Sequence, residues 1–176
     1  MDADTRVKTD GLPIPVPERF EAFYEREYPR MVTLAFALTG DRLAAEDLAQ
    51  DVFIDAHRRW GEIGSYDKPG AWLRRAVINR SRSVMRRARI ESRVLRRIGR
   101  SGDVAPELPD DTQQFWTTVR SLSPRQAQCV VLHYLEDLPV ASIAELLGCT
   151  ETTVRVHLHR GRAALAQRLR LDQEET

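Results

Sequence analysis

The chain has 176 residues, 42% hydrophobic and 30% charged. That length suits one medium domain or two small ones, and it is too short for a TIM barrel or a complete two-half dinucleotide fold. Lys+Arg number 27 and Asp+Glu 26; the formal charge of +1, taken as a single number, argues against a nucleic-acid binder, which usually carries a basic excess.

In chain order, residues 1–17 read as a flexible leader, polar and with Pro13, Pro15 and Pro17. They lack the apolar core of a signal peptide. Phe20, Phe23, Tyr24, Met31, Val32, Ala35 and Leu38 fit a pair of helices broken near Pro29. Thr39-Gly40 is a stop, and Asp41 caps the next helix, expected from Arg42 to Trp60 with Leu48, Val52, Ala56 and Trp60 on one ridge. A loop from Gly61 to Gly70 precedes a long helix from Ala71 to about Ile98. Gly99, Gly102, Pro106 and Pro109, with four acids among them, mark a linker. Helices resume from about Gln113 to Leu171, and 172–176 is an acidic tail. Strand signals are nearly absent. The expected fold is all-α: two small helical domains, 18–98 and 113–171, joined by a flexible acidic linker over 99–112.

Two cysteines, Cys129 and Cys149, are too few for a disulfide framework or a four-ligand zinc site. Both are expected reduced. His157 and His159 lie two apart, so they point to different helix faces, and no third ligand is near. No metal site, cofactor or catalytic group is expected, and no apolar run is long enough to span a membrane.

The charge is sorted along the chain. Ala71 to Arg100 holds eleven Arg against one acid, Glu91. At about 100° per residue, Arg75, Arg82, Arg86, Arg89, Arg93, Arg96 and Arg100 fall within roughly 40° of one line if the helix is unbroken. Like charges at helical spacing repel. A stripe of this kind calls for an external polyanion, and a phosphate backbone supplies one through counterion release. In the preceding helix Asp47, Asp51 and Asp55 recur every four residues with Glu46 beside them. Spacing alone leaves two readings open: a solvated acidic face, or a docking surface for a basic protein.

The C-terminal part carries a helix-turn-helix pattern. Val140 to Leu147 is a short helix with Ile143, Ala144 and Leu147 inward. Gly148-Cys149-Thr150 is the turn, with Gly148 suited to a left-handed backbone and Thr150 to an N-cap. In the second helix Val154, Leu158, Gly161 and Leu165 face inward. Thr152, Arg155, Val156, His159 and Arg160 then face outward, as in a helix that reads base edges in the major groove. Upstream, Ser123 caps a helix opened by Pro124, whose Val130, Val131, Leu132 and Leu135 supply a packing wall.

These residues in this order resemble an extracytoplasmic-function (group 4) RNA polymerase sigma factor of the sigma-70 family. "AEDLAQDVFIDAHRRW" (45–60) and "AWLRRAVINRSRSVMRR" (71–87) resemble region 2. "LSPRQAQCVVLHYLEDLPVASIAELLGCTETTVRVHLHRGRAAL" (122–165) resembles region 4. The resemblance turns the acidic helix into a docking surface for the clamp helices of the polymerase largest subunit, through Asp47, Gln50, Asp51, Asp55 and Arg58. It assigns Tyr66, Trp72, Arg75, Asn79, Arg82 and Arg86 to recognition and melting of the −10 element. The −35 element would be read by Thr152, Arg155, Val156, His159 and Arg160. The sequence departs from the family's "TV.SRL.RAR": Val156, His157 and Gly161 stand where Ser, Arg and Ala are usual.

The function implied is that of a promoter-specificity subunit acting in the cytoplasm on core RNA polymerase and promoter DNA, with an anti-sigma factor as a further partner. No Walker-type glycine loop is present, so melting would draw on binding energy. A stand-alone helix-turn-helix repressor is the alternative; it would need a two-fold dimer and leaves the acidic helix without a role. A metal nuclease would need clustered carboxylates beside the DNA face, and a decoy would bind polymerase without initiating. Near-neutrality then becomes a sum of unlike faces, and free-chain DNA binding is expected to be weak.

Overall fold

The computed structural model describes residues 18–98 and 110–174, with side chains described for 18–86 and 114–168. The leader, most of the linker and the last residues of the tail lie outside the described residues. Within them all regular structure is helical: α1 (Phe20–Thr39), α2 (Arg42–Arg58), α3 (Trp60–Ile63), α4 (Pro69–Ile98), α5 (Asp110–Ser121), α6 (Pro124–Tyr134), α7 (Val140–Leu147) and α8 (Glu151–Glu174).

α1 overturns the expected break. It runs unbroken through Pro29, although an interior proline costs a helix about 3 kcal/mol. Phe23, Met31, Leu34, Ala35 and Leu38 explain this, because they are buried on one continuous face spanning the proline. A break there would turn half of that face into water, at roughly 2 kcal/mol for each large side chain. Gly40 ends α1 in the left-handed region, φ 76°, with its N–H donating to Phe36 O at 2.8 Å. Asp41 then caps α2, its Oδ1 accepting from the Ala44 N–H at 3.1 Å.

α2 stops at Arg58, two residues short of the expected end, and Trp60 opens the short α3 instead. Its indole Nε1 donates to Glu18 O at 3.2 Å. Leu48, Val52 and Ala56 are buried as expected, with Ala45, Ala49 and Phe53 beside them. α4 begins at Pro69, where the missing N–H costs nothing, and continues to Ile98 without interruption. Its Leu73, Val77, Ile78 and Met85 close the core of α1, α2 and α4.

In the second half α5 starts at Asp110, three residues before the expected Gln113. At the start of α6, Gln126 Oε1 accepts from the Ser123 N–H at 3.2 Å, which satisfies one free donor of the first turn. Val130, Val131 and Leu132 of α6 and Ile143 of α7 are fully buried, and Leu158 and Leu165 of α8 nearly so. Gly161 allows α8 its close approach to α6: a Cβ there would stand 3.0 Å from Val130 Cγ2.

The halves are also packed on each other. α1 meets α5 and α6, and α4 meets α6 and α7. Arg74 Nε lies 2.6 Å from Glu136 Oε2 across this joint.

Candidate nucleic-acid interface and docking face

α8 sorts its residues as the pattern requires. Val154, Leu158, Gly161 and Leu165 are buried, while Thr152, Arg155, Val156, His159 and Arg160 are exposed, Val156 by 40%. Gly148 adopts φ 63° and places the turn, and Thr150 Oγ1 accepts from the Thr153 N–H at 3.2 Å to start α8. Arg155 Nη2 rests on Glu151 Oε2 at 2.6 Å, a pair on the open surface that a base edge or phosphate can displace. Behind the reading face, Arg162 Nε donates to Tyr134 Oη at 2.6 Å with its guanidinium 5.6 Å from the ring centroid, fixing α8 to α6. His157 is half-buried, and its Nδ1 has no hydrogen-bond partner.

On α4, Trp72, Arg75, Asn79, Arg82 and Arg86 follow each other at steps of three and four. They therefore share one face, and the last four are exposed. Arg89, Arg93, Arg96 and Arg100 lie beyond the described side chains. Other arginines of α4 turn inward: Arg80 forms an ion pair with Asp55 of α2, and Arg74 with Glu136. The basic stretch is thus divided between an open stripe and structural pairs.

Tyr66 and Trp72 are brought into one patch by Arg59, a residue the sequence reading missed. The Arg59 guanidinium lies 5.6 Å from the Trp72 ring centroid, and its Nη2 donates to Glu62 Oε2 at 2.9 Å. Tyr66 Oη donates to Glu62 Oε1 at 2.5 Å. This hydrogen bond raises the Tyr66 pKa, and with Arg59 it lowers that of Glu62. The phenol stays protonated at neutral pH. Stacking surface and donors, which an unpaired base needs, therefore stand together. The break between α2 and α3 exposes Arg59; an expected helix through to Trp60 concealed it.

On α2, Asp47, Gln50, Asp51 and Arg58 are exposed. Asp55 is half-exposed and committed, to Arg80 and, at 3.7 Å, to Arg58 Nη1. The face also has an apolar part. Ile54, 48% exposed, and Tyr24 border a shallow hollow of about 330 Å³ with Phe20, Phe53, His57 and Arg58. Its signal was present: Gln50, Ile54 and Arg58 recur every four residues, and Ile54 is the apolar member of an outward row.

The described residues contain no cluster of three or more metal-ligating side chains and no helix long and apolar enough to cross a membrane. Cys129 is buried, which pushes its thiol pKa up to about 11.

Comparison with known proteins assigns this architecture. The Sigma-70 region 2 model matches residues 23–90 and the Sigma-70, region 4 model matches 112–165. The chain belongs to the extracytoplasmic-function group of the sigma-70 family. Sigma factors are non-catalytic initiation factors, so this chain is not an enzyme. It is 28% identical to the RNA polymerase sigma-E factor of Streptomyces coelicolor over 151 residues, 85% of each chain. It is 32% identical to the ECF RNA polymerase sigma factor SigE of Mycolicibacterium smegmatis over 161 residues, 84% of this chain and 60% of that one. Among solved structures it is similar to the sigma factor RpoE in its complex with the anti-sigma factor NepR from Bartonella quintana. The TM-score is 0.67 and the identity 26%, over 87% of this chain and 98% of that one.

Proposed function

We propose that this sigma factor recruits core RNA polymerase to a restricted set of promoters by a division of labour among three surfaces. Residues 18–98 dock on the polymerase clamp helices through Asp47, Gln50, Asp51 and Arg58, with Ile54 and Tyr24 adding apolar area and Asp55 bracing the helix against Arg80. The same domain holds the melted −10 strand with Tyr66, Trp72, Arg75, Asn79, Arg82 and Arg86. The second half, from α5 onward, reads the −35 duplex with Thr152, Arg155, Val156, His159 and Arg160, and residues 99–109, before Asp110, are the tether. The setting is the cytoplasm, where polymerase and promoter DNA are found. An anti-sigma factor is a further partner, in line with the RpoE–NepR complex.

One observation carries the reading. The five outward positions of α8 are exposed, and the four positions of the same helix that must pack are buried. A helical hairpin without a groove to enter has no need of that sorting with Arg155, His159 and Arg160 on its outer face. The test is transcription from a genomic promoter library by purified core polymerase with and without the protein. Initiation at a new, discrete set of sites is expected; an unchanged set of starts would refute the reading.

A further inference from the structure

Val156 is an unfavourable choice for the helix that carries it. It stands inside α8 and is 40% exposed, where alanine or a straight-chain polar residue suits a helix better than a β-branched one. Other large apolar side chains exposed among the described residues have a place in the fold. Tyr24 and Ile54 border the hollow on α2, Tyr66 donates to Glu62, and Tyr134 accepts from Arg162. A single exposed apolar residue is ordinary on any protein surface. What distinguishes Val156 is where it points.

At about 100° per residue, the buried Val154, Leu158, Gly161 and Leu165 centre on one line of α8, and Val156 lies roughly 10° from the line directly opposite. Thr152 and His159 share that outer row at steps of four and three. Arg155 lies to one side of it and Arg160 to the other. Glu151 holds Arg155 Nη2 at 2.6 Å from the side away from Val156. Thr153, one turn before, is tied to Thr150, their hydroxyl oxygens 2.8 Å apart. The side chain that points straight away from the core, at the centre of the reading face, is therefore apolar, and polar groups flank it.

In the major groove the base edges present donors and acceptors, with one exception, the C5 methyl of thymine. Valine can neither donate nor accept. Pressed on a polar edge it removes water and returns no hydrogen bond, which is costly. Pressed on a methyl it takes apolar surface on both sides out of water. One side chain thus attracts one base feature and rejects the others. The methyl of 5-methylcytosine stands at the same ring position and offers the same chemistry.

We propose that Val156 selects a 5-methylpyrimidine in the −35 duplex, with Arg155 and Arg160 fixing its register from either side. This rests on reading α8 as the −35 helix. The methyl comes from thymine, set by sequence, or from cytosine, set by methylation. Unmethylated cytosine at that position makes a poor promoter for this chain, because Val156 then covers a polar edge without a partner.

The test uses holoenzyme assembled from core polymerase and the full chain, on duplex promoters from which that holoenzyme initiates. Each thymine of the −35 element is replaced in turn by deoxyuridine, which removes the methyl and leaves the pairing and the groove acceptors in place. Each cytosine is replaced in turn by 5-methylcytosine. Wild type is expected to lose about fourfold in affinity at one thymine, or to gain about as much at one cytosine, the effect of one methyl group leaving water. The responding base tells the two sources apart. Val156→Ser is expected to bind the methylated and unmethylated duplexes alike, and Val156→Ile to keep the preference. Val156 is exposed, so neither change disturbs the core, and circular dichroism checks that both variants keep their helices. Deoxyuridine in the spacer controls for changes in DNA stiffness. Equal wild-type affinity for every substituted duplex overturns the proposal, as does a methyl preference that survives in Val156→Ser. Footprinting on the same promoters keeps the proposal apart from the reading beneath it. Upstream protection without a methyl preference removes the role of Val156 alone; no upstream protection by the wild-type holoenzyme removes α8 as the −35 reader.

Discussion

Arg155 leans on Glu151 across an open surface, so its guanidinium is available at little cost once a base edge is presented. Arg155→Ala is expected to weaken upstream-element recognition by roughly 1–3 kcal/mol, seen as a lost footprint there with polymerase binding retained. Asp51 is exposed on the outer row of α2, and Asp51→Arg reverses a charge without disturbing the core. Pull-down of core polymerase should then fail while the thermal transition stays where it was; retained pull-down would exclude Asp51 from the docking face. Cys129 gives a prediction of a different kind. Its folded pKa is raised above the ordinary thiol value by burial. The unfolded chain therefore loses that proton first as pH rises. The stability it contributes is full below the ordinary value and declines from there up to about 11. Urea titrations between pH 8 and 11 should show that decline and should lose part of it in Cys129→Val. At neutral pH an alkylating reagent should modify the half-exposed Cys149 well before Cys129.

Among the elements, the turn between α7 and α8 is set by two residues whose chemistry is local. Gly148 stands at φ 63° with open space around it, so Gly148→Ala meets no steric neighbour and costs only the left-handed backbone strain, roughly 1 kcal/mol. A denaturation midpoint shifted by that amount, with the helical circular dichroism retained, is the expected result; a complete loss of fold would show that the turn does more. Such local chemistry was legible: the caps at Asp41 and Thr150, the stops at Gly40 and Gly148, and the inward and outward rows of α8 all follow from residue type and spacing. Pro29 misled because a propensity of about 3 kcal/mol is weighed against burial along all of α1, and burial is a tertiary quantity. The candidate site divides in the same way. The arginine stripe of α4 was readable as a row from spacing, whereas Tyr66, Trp72 and Asn79 were named only through the family resemblance. The bridge through Arg59, the commitment of Asp55 to Arg80 and the inward turn of Arg74 were not, since each depends on which helix lies opposite.

At the scale of the molecule, the halves read as separate domains because each has its own apolar pattern and a run of glycines, prolines and acids stands between them in the sequence. Nothing in either pattern announces Glu136, Arg120 or Gln128 as joint residues against Arg74, Phe36 and Ile78: Glu136 sits in a polar turn, and the other two lie in ordinary amphipathic helices. Their pairing is long-range, and sequence spacing carries no information about it. The near-zero net charge acquires a second meaning here, because part of the basic stretch is neutralised inside the protein by Asp55 and Glu136 before any partner arrives.

Gly40 ties these scales together. Its positive φ already disfavours a side chain, and a Cβ there would stand 2.6 Å from Arg120 Nε, a residue of the other half. Gly40→Ala should lower stability by more than the roughly 1 kcal/mol of backbone strain, and Arg120→Ala in the same background should return the excess. A double-mutant cycle in urea measures that coupling. The consequence is historical as much as mechanical. A helix stop in one domain and a half-buried arginine in the other are bound to drift as a pair, so positions 40 and 120 should covary in any lineage that keeps this joint, and should vary freely in one that has abandoned it.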